Sequence, residues 1–236
     1  MASPLLILTG VELEARALAR ALDLPRLPSF PFPAFGRPSI RIAPVGVGAL
    51  LCESRWAALL DGLPHPLVVS AGVCGGLDPR LGVADLVIPE RVLGPTGEFH
   101  ALGSAAHRAA VARAGAGVCA GLLVTTREVV STPTAKAALH AASGAVAADM
   151  ESAFILARAA ASGCAALVVR AVSDPADESL PLELVRLVTP AGGLRLVRAL
   201  ALVGARPALV PRAVALRHRT HRALRAVAPA LAALAA

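Results

Sequence analysis

The sequence predicts an α/β fold, a largely parallel sheet with helices on both faces. Short apolar runs alternate with stretches of helical periodicity along most of the chain, the pattern of βαβ units. Two of these runs, 144–148 and 165–171, bracket a helical stretch at 152–162 that Gly163 closes. Each run leads into an acidic tripeptide, Asp149-Met150-Glu151 and Val172-Ser173-Asp174. Charge at the end of a buried strand is unusual, but in an open α/β sheet that is where ligands bind.

The elements follow in order. Leu5-Leu6-Ile7-Leu8 is a strand ended by Thr9-Gly10, and 12–22 has apolar residues at helical spacing. Residues 39–44 read as a second strand and 49–60 as a helix. A third strand at 66–70 runs into the glycine-rich stretch 71–77, and 85–89 is a fourth. Residues 104–114 read as helix, 121–125 as strand and 134–142 as helix. From 194 onward the chain is helical, rich in leucine, alanine and arginine, with no acidic residue after Glu183.

Nothing in the pattern looks like a linker, so the 236 residues are expected to form one domain, 1–236, with a basic helical C-terminal segment at 194–236. More than half the chain, 56%, is apolar, enough for a sizeable core. The net charge is +7, and Lys136 is the only lysine among 23 basic residues. Arginines break the apolar runs well before the roughly 20 residues that a membrane span needs. The start, Met1-Ala2-Ser3-Pro4, lacks the basic region of a signal peptide, and Cys52, Cys74, Cys119 and Cys164 form no metal-ligand spacing. Free thiols in a reducing cytoplasm are the expectation. One tryptophan, no tyrosine and no aromatics among the C-terminal arginines argue against nucleic acid as a partner.

Gly72-Val73-Cys74-Gly75-Gly76 follows a strand, where glycines let backbone approach a ligand. It is neither a dinucleotide fingerprint nor a Walker A loop, and a tight turn is the plain alternative. Glu12 suits a solvated first helical turn. Glu14, Glu151 and Asp174 all follow strand ends, so a parallel sheet would project them over one edge. Three carboxylates there suggest acid/base work on a polyhydroxylated substrate.

The order of these motifs resembles the nucleoside phosphorylase and nucleosidase superfamily, which shares Gly-x-x-Gly-Gly-Leu, Met-Glu and Ser-Asp after successive strands. The chain is similar to the methylthioadenosine/S-adenosylhomocysteine nucleosidases at 9–15, 70–89 and 145–177. It resembles the hopanoid-associated phosphorylases more closely, at 9–16, 75–79, 149–152, 170–177 and around Arg206-Pro207. The resemblance implies a nucleoside phosphorylase-like fold, a single three-layer α-β-α domain with a mixed, twisted central sheet. It implies that Glu151 binds the ribose 2′- and 3′-hydroxyls and that Met150 packs on ribose or base. Asp174 would protonate purine N7, Ser173 would hold Asp174, and Glu14 would position or deprotonate the nucleophile. Gly72, Val73 and Gly75 would line the substrate. Such groups stabilise both the oxocarbenium-like sugar and the departing base.

Two departures from the family pattern carry further expectations. Superfamily phosphorylases place an arginine and a serine on phosphate, where this chain holds Ser70 and Val73; water is therefore the expected nucleophile and phosphate the alternative. Nucleosidases stack the base on a phenylalanine, whereas 126–130 has no aromatic, so the purine would pack on Val129 or Val130. The expected function is cleavage of the N-glycosidic bond of an adenine nucleoside, a lipid-linked one such as adenosylhopane in hopanoid biosynthesis. The alternatives are a small-molecule nucleosidase acting on methylthioadenosine, S-adenosylhomocysteine or futalosine, and a non-catalytic nucleoside-binding protein. No metal or organic cofactor is implied, and a homodimer is. The basic C-terminus is read as a solvated helix face, or as a peripheral contact with the inner face of an anionic membrane.

Overall fold

The structure, a computed structural model, describes residues 3–101, 118–181 and 209–235, together with 183, 189 and 206. The first strand, β1 (Leu5–Thr9), is buried along its whole length. Its alternate side chains explain why it reads as unbroken apolar sequence. Leu5 and Ile7 face a core shared with Leu18, Leu224, Val227 and Leu231, while Leu6 and Leu8 face another built on Trp56, Leu59 and Ile155. The sheet is therefore covered on both sides, which gives the expected three layers.

The strands of the described residues join one mixed sheet. β2 (Phe35–Arg37) and β3 (Ile40–Pro44) form one edge, and β1 pairs in parallel with β3 and with β4 (Leu67–Gly76). Short strands β5 (Leu86–Val87), β6 (Arg91–Leu93), β7 (Phe99–Ala101), β8 (Val118–Cys119) and β9 (Leu123–Thr125) extend it. β10 (Ala147–Asp149) lies antiparallel to the end of β4, and β11 (Ala166–Asp174) runs parallel to β4 on its opposite edge.

On one face lie α1 (Glu12–Ala21) and the C-terminal α5 (Leu209–Ala235). On the other lie α2 (Cys52–Leu60) and α4 (Ser152–Ala161). α3 (Pro133–Ser143) starts on Thr132, whose side chain accepts from the Ala135 amide, and stops at Gly144 in a left-handed conformation.

Three expectations need correcting. The strand expected at 66–70 continues through the glycines to Gly76, because β11 pairs with it from Val68 to Gly75 and β10 takes Gly75 and Gly76. The glycines are strand, not a turn after one. The helix expected from 49 begins at Cys52, because Val47–Ala49 forms a 3₁₀ turn around Gly48, whose φ is 64°. The strand expected at 85–89 is confined to Leu86–Val87. The helix expected at 104–114 lies outside the described residues, as does most of 194–208.

One irregularity of the sheet positions the site. β1 leaves β4 at Ser70, and β10 joins the same edge only at Gly75. Along the intervening stretch of that edge, 71–74, no described strand is paired.

Candidate active site

That gap is occupied by a carboxylate. Glu14, in the first turn of α1, accepts a hydrogen bond from the Val73 amide at 2.9 Å through Oε1. Its Oε2 accepts from the amides of Gly10 and Val11 at 3.1 and 3.2 Å, the backward half of a capping box. Burial raises its proton affinity, and the Arg170 guanidinium and the three amides pull it back down. Glycine is required at 72: a Cβ there would lie 2.5 Å from Glu14 Oε1 and 2.7 Å from Arg170 Nη1, and φ is 149°.

Arg170 is the hub of this half of the site. It stands in the middle of β11, 1% exposed, and its Nη2 lies 2.8 Å from Asp149, 2.9 Å from Ser70 Oγ and 3.6 Å from Glu151. Asp149 ends β10 and is held by the Thr125 hydroxyl at 2.7 Å and by Ser152. A buried guanidinium is costly without partners, and these carboxylates supply them.

Glu151 sits where α4 begins. Its Oε1 accepts from the Gly48 amide at 3.1 Å, and close packing on Gly10 leaves no room for a Cβ there. Burial, with Asp149 and Glu14 nearby, pushes its carboxyl up to about 7 against the pull of Arg170. Met150 is half-buried beside it, and its carbonyl faces Gly48.

The second half of the site lies at the tip of β11. Asp174 is 3% exposed. Ser173 donates to its Oδ1 at 2.7 Å and to the Cys74 carbonyl at 3.3 Å. Lys136 of α3 donates to its Oδ2 at 2.7 Å. Burial raises the proton affinity of Asp174, while Lys136 and Ser173 lower it. Gly75 lies against Asp174 Oδ2, which a Cβ would approach to 3.1 Å. One strand, β4, thus carries both halves: Gly72 and Val73 against Glu14 and Arg170, Gly75 against Asp174.

The expected residues Glu14, Glu151, Ser173, Asp174, Gly72, Val73 and Gly75 are therefore set along one path at the strand ends. Val129 is half-buried in the loop between β9 and α3. Glu12 is on the surface, paired with Arg16. Sequence reasoning assigned no role to Arg170, Lys136, Asp149 or Gly48. A lone arginine inside an apolar strand, and the only lysine of the chain, were signals open to it. The amide of Gly48 has no sequence signature. Among the described residues, no cluster of histidine, cysteine or carboxylate is arranged to hold a metal ion.

Residues 4–202 match the phosphorylase superfamily. The futalosine hydrolase of Streptomyces coelicolor is 32% identical over 201 residues, covering 72% of this chain and 83% of its own. Among solved structures, the 5′-methylthioadenosine/S-adenosylhomocysteine nucleosidase of Helicobacter pylori, with butyl-thio-DADMe-Immucillin-A, matches with a TM-score of 0.73 and 15% identity, covering 100% of this chain and 98% of its own. The Neisseria meningitidis nucleosidase, in complex with methylthio-immucillin-A, matches with 0.71 and 19% over 98% and 97%. These structural matches share the fold. The family match and the futalosine hydrolase relative define the class, an enzyme of the nucleoside hydrolase or phosphorylase kind. The chain belongs to the phosphorylase superfamily.

Proposed function

We propose that the protein hydrolyses the N-glycosidic bond of an adenine nucleoside. The observation that carries this is the set of buried carboxylates gathered at the site, each with raised proton affinity: Glu14 and Glu151 around Arg170, and Asp174 beyond Gly75. In this reading protonated Asp174 gives its proton to purine N7, so adenine leaves neutral. Water attacks C1′ and passes a proton to Glu14. Ionised Glu151 accepts from the ribose 2′- and 3′-hydroxyls, with Met150 against the sugar and Val129 against the base. The oxygen of water ends on C1′, and one proton ends on the base.

Water is favoured over phosphate because the groups at the two family phosphate positions are spent internally or apolar. Ser70 Oγ is held by Ser152 at 3.0 Å and Arg170 at 2.9 Å, and Val73 offers only its amide, which Glu14 takes. Turnover that depends strictly on added phosphate and yields a sugar 1-phosphate would overturn this.

The nucleoside in this proposal is lipid-linked, an adenosylhopane of hopanoid biosynthesis. The motif resemblance supports it, and so does α5. That helix buries Ala223, Leu224, Val227 and Leu231 while exposing Val210, Val214, Arg217, His218, Arg222 and Arg225. Such a stripe suits a peripheral contact with an anionic bilayer on the cytoplasmic side; no described helix is long and apolar enough to cross one. Each arginine near the surface is worth roughly 1 kcal/mol, so sedimentation with anionic vesicles should fade with salt. Indifference to such vesicles at low salt would remove the membrane contact. A homodimer is proposed on the exposed Leu13 and Leu50, neighbours of the Glu14 and Gly48 contacts. A monomeric mass in solution would refute it.

The futalosine hydrolase relative favours a second reading, a small soluble substrate such as futalosine. Base release measured on futalosine, methylthioadenosine and lipid-linked adenosine, with and without phosphate, decides between them. Binding without release from any of the three would leave a non-catalytic nucleoside-binding protein.

A further inference from the structure

Lys136 is the only lysine of the chain, and it is wholly buried. An ammonium out of water needs acceptors all round, and Lys136 Nζ has them. Besides Asp174 Oδ2 at 2.7 Å, it donates to the carbonyls of Asp174 at 3.1 Å, Pro175 at 2.7 Å and Glu178 at 3.2 Å. All four acceptors belong to the tip of β11 and the turn beyond it. The lysine reaches them from α3, an element that supplies nothing else to the acid. A purely structural tie could stop at the carbonyls; this one also engages the carboxyl.

We propose that Lys136 is a positioning residue for Asp174: its ammonium fixes the carboxyl's direction and keeps its proton transferable to the leaving base. The proposal rests on the N-glycosidic reading. The surroundings of Asp174 leave this task to Lys136. From β4 comes Cys74, whose thiol burial holds in the neutral form. From α5 comes Arg219, which is engaged by Glu178 at 2.6 Å. On β11 itself, Ser173 offers a neutral hydroxyl to the other oxygen. Glu14, Glu151, Asp149 and Arg170 form their own network on the far side of Cys74. Without Lys136, only the Ser173 hydroxyl and the charge of Arg219 would oppose burial, and Asp174 would hold its proton to higher pH and release it less readily.

The expected signature is kinetic. Activity that needs protonated Asp174 falls as pH rises through its proton affinity. Lys136→Met should move that alkaline limb of kcat/KM up by about one pH unit or more and lower the plateau of kcat by roughly 10-fold or more, with KM changed far less. A Lys136→Met protein with the wild-type limb and kcat would show a structural tie only and overturn the proposal. Should that variant fail to fold, the unaltered protein still gives the answer. Labelling with ¹³Cε-lysine yields a single side-chain signal, because there is a single lysine. That signal should inflect at the pH of the alkaline limb and lose the inflection in Asp174→Asn. A signal flat across the limb would overturn the proposal. The signal needs no turnover, so it tests the pairing even if no nucleoside is cleaved, and absence of cleavage alone sinks only the N-glycosidic reading.

Discussion

Replacing Glu151 by glutamine separates the charge of that side chain from its shape. In the folded protein its carboxyl is pushed up to about 7 by burial, with Arg170 3.6 Å away limiting the rise. Ribose hydroxyls donate, so they bind the ionised form, and binding competes with protonation. Below about pH 7 the affinity for a ribosyl inhibitor should then fall tenfold for each pH unit. From pH 8 to pH 5 the loss is about 100-fold, or ~2.7 kcal/mol. Glu151→Gln should abolish this dependence and bind the ribosyl inhibitor about 10- to 100-fold more weakly at pH 8, the worth of a hydrogen bond to a charged acceptor. Isothermal titration at several pH values, with the 2′-deoxy analogue as control, makes the measurement. The control matters because Glu14 and Asp174 also have raised proton affinity. A wild-type profile that is flat from pH 5 to 8, or equally steep for ribo and deoxy inhibitors, would refute the assignment of Glu151 to the diol.

Asp174→Asn keeps the shape and the Ser173 contact but has no proton to give, so base release should fall about 10²–10⁴-fold with little change in inhibitor affinity. Activity within a few-fold of wild type would exclude it as the acid. Glu14→Gln should depress kcat while leaving inhibitor binding near wild type, and it should cost about 1–3 kcal/mol in thermal or denaturant unfolding, because an amide NH₂ would face backbone donors. Gly72→Ala should remove activity and destabilise well beyond about 1 kcal/mol, since its Cβ would strike Glu14 and Arg170. Gly62→Ala, also at positive φ but in open space, is the control and should cost only about 1 kcal/mol.

The fold was legible because the sheet is packed on both faces, which makes β1 and the start of β4, 67–69, read as unbroken apolar runs. The carboxylates were legible because Asp149, Glu151 and Asp174 end such runs. The rest depends on pairing that leaves no local trace. The glycines of β4 look like a turn, since nothing nearby in sequence announces that β11 will pair beside them. Arg170 gathers Ser70 from β4 and Asp149, Glu151 and Ser152 from the stretch where β10 ends and α4 begins, and only the folded chain shows them meeting. Lys136 reaches Asp174 across 38 positions of sequence. Val73 misled in another way: its side chain lacks the hydroxyl expected of a phosphate ligand, yet its backbone is what the site uses.

That last point bears on how freely this site can change. The gap in the edge of β4 presents an amide at position 73, and every amino acid except proline carries the same amide. Its place is set by β1 and β10 pairing on either side of the gap and by β11 along the opposite edge. Glu14 is therefore anchored whatever side chain stands at 73. A lineage can exchange a hydroxyl for an isopropyl group there, altering what the pocket offers to an attacking nucleophile, without disturbing the carboxylate that would direct the attack. The unpaired edge makes position 73 a place where reaction type can drift while the scaffold of the acid stays put.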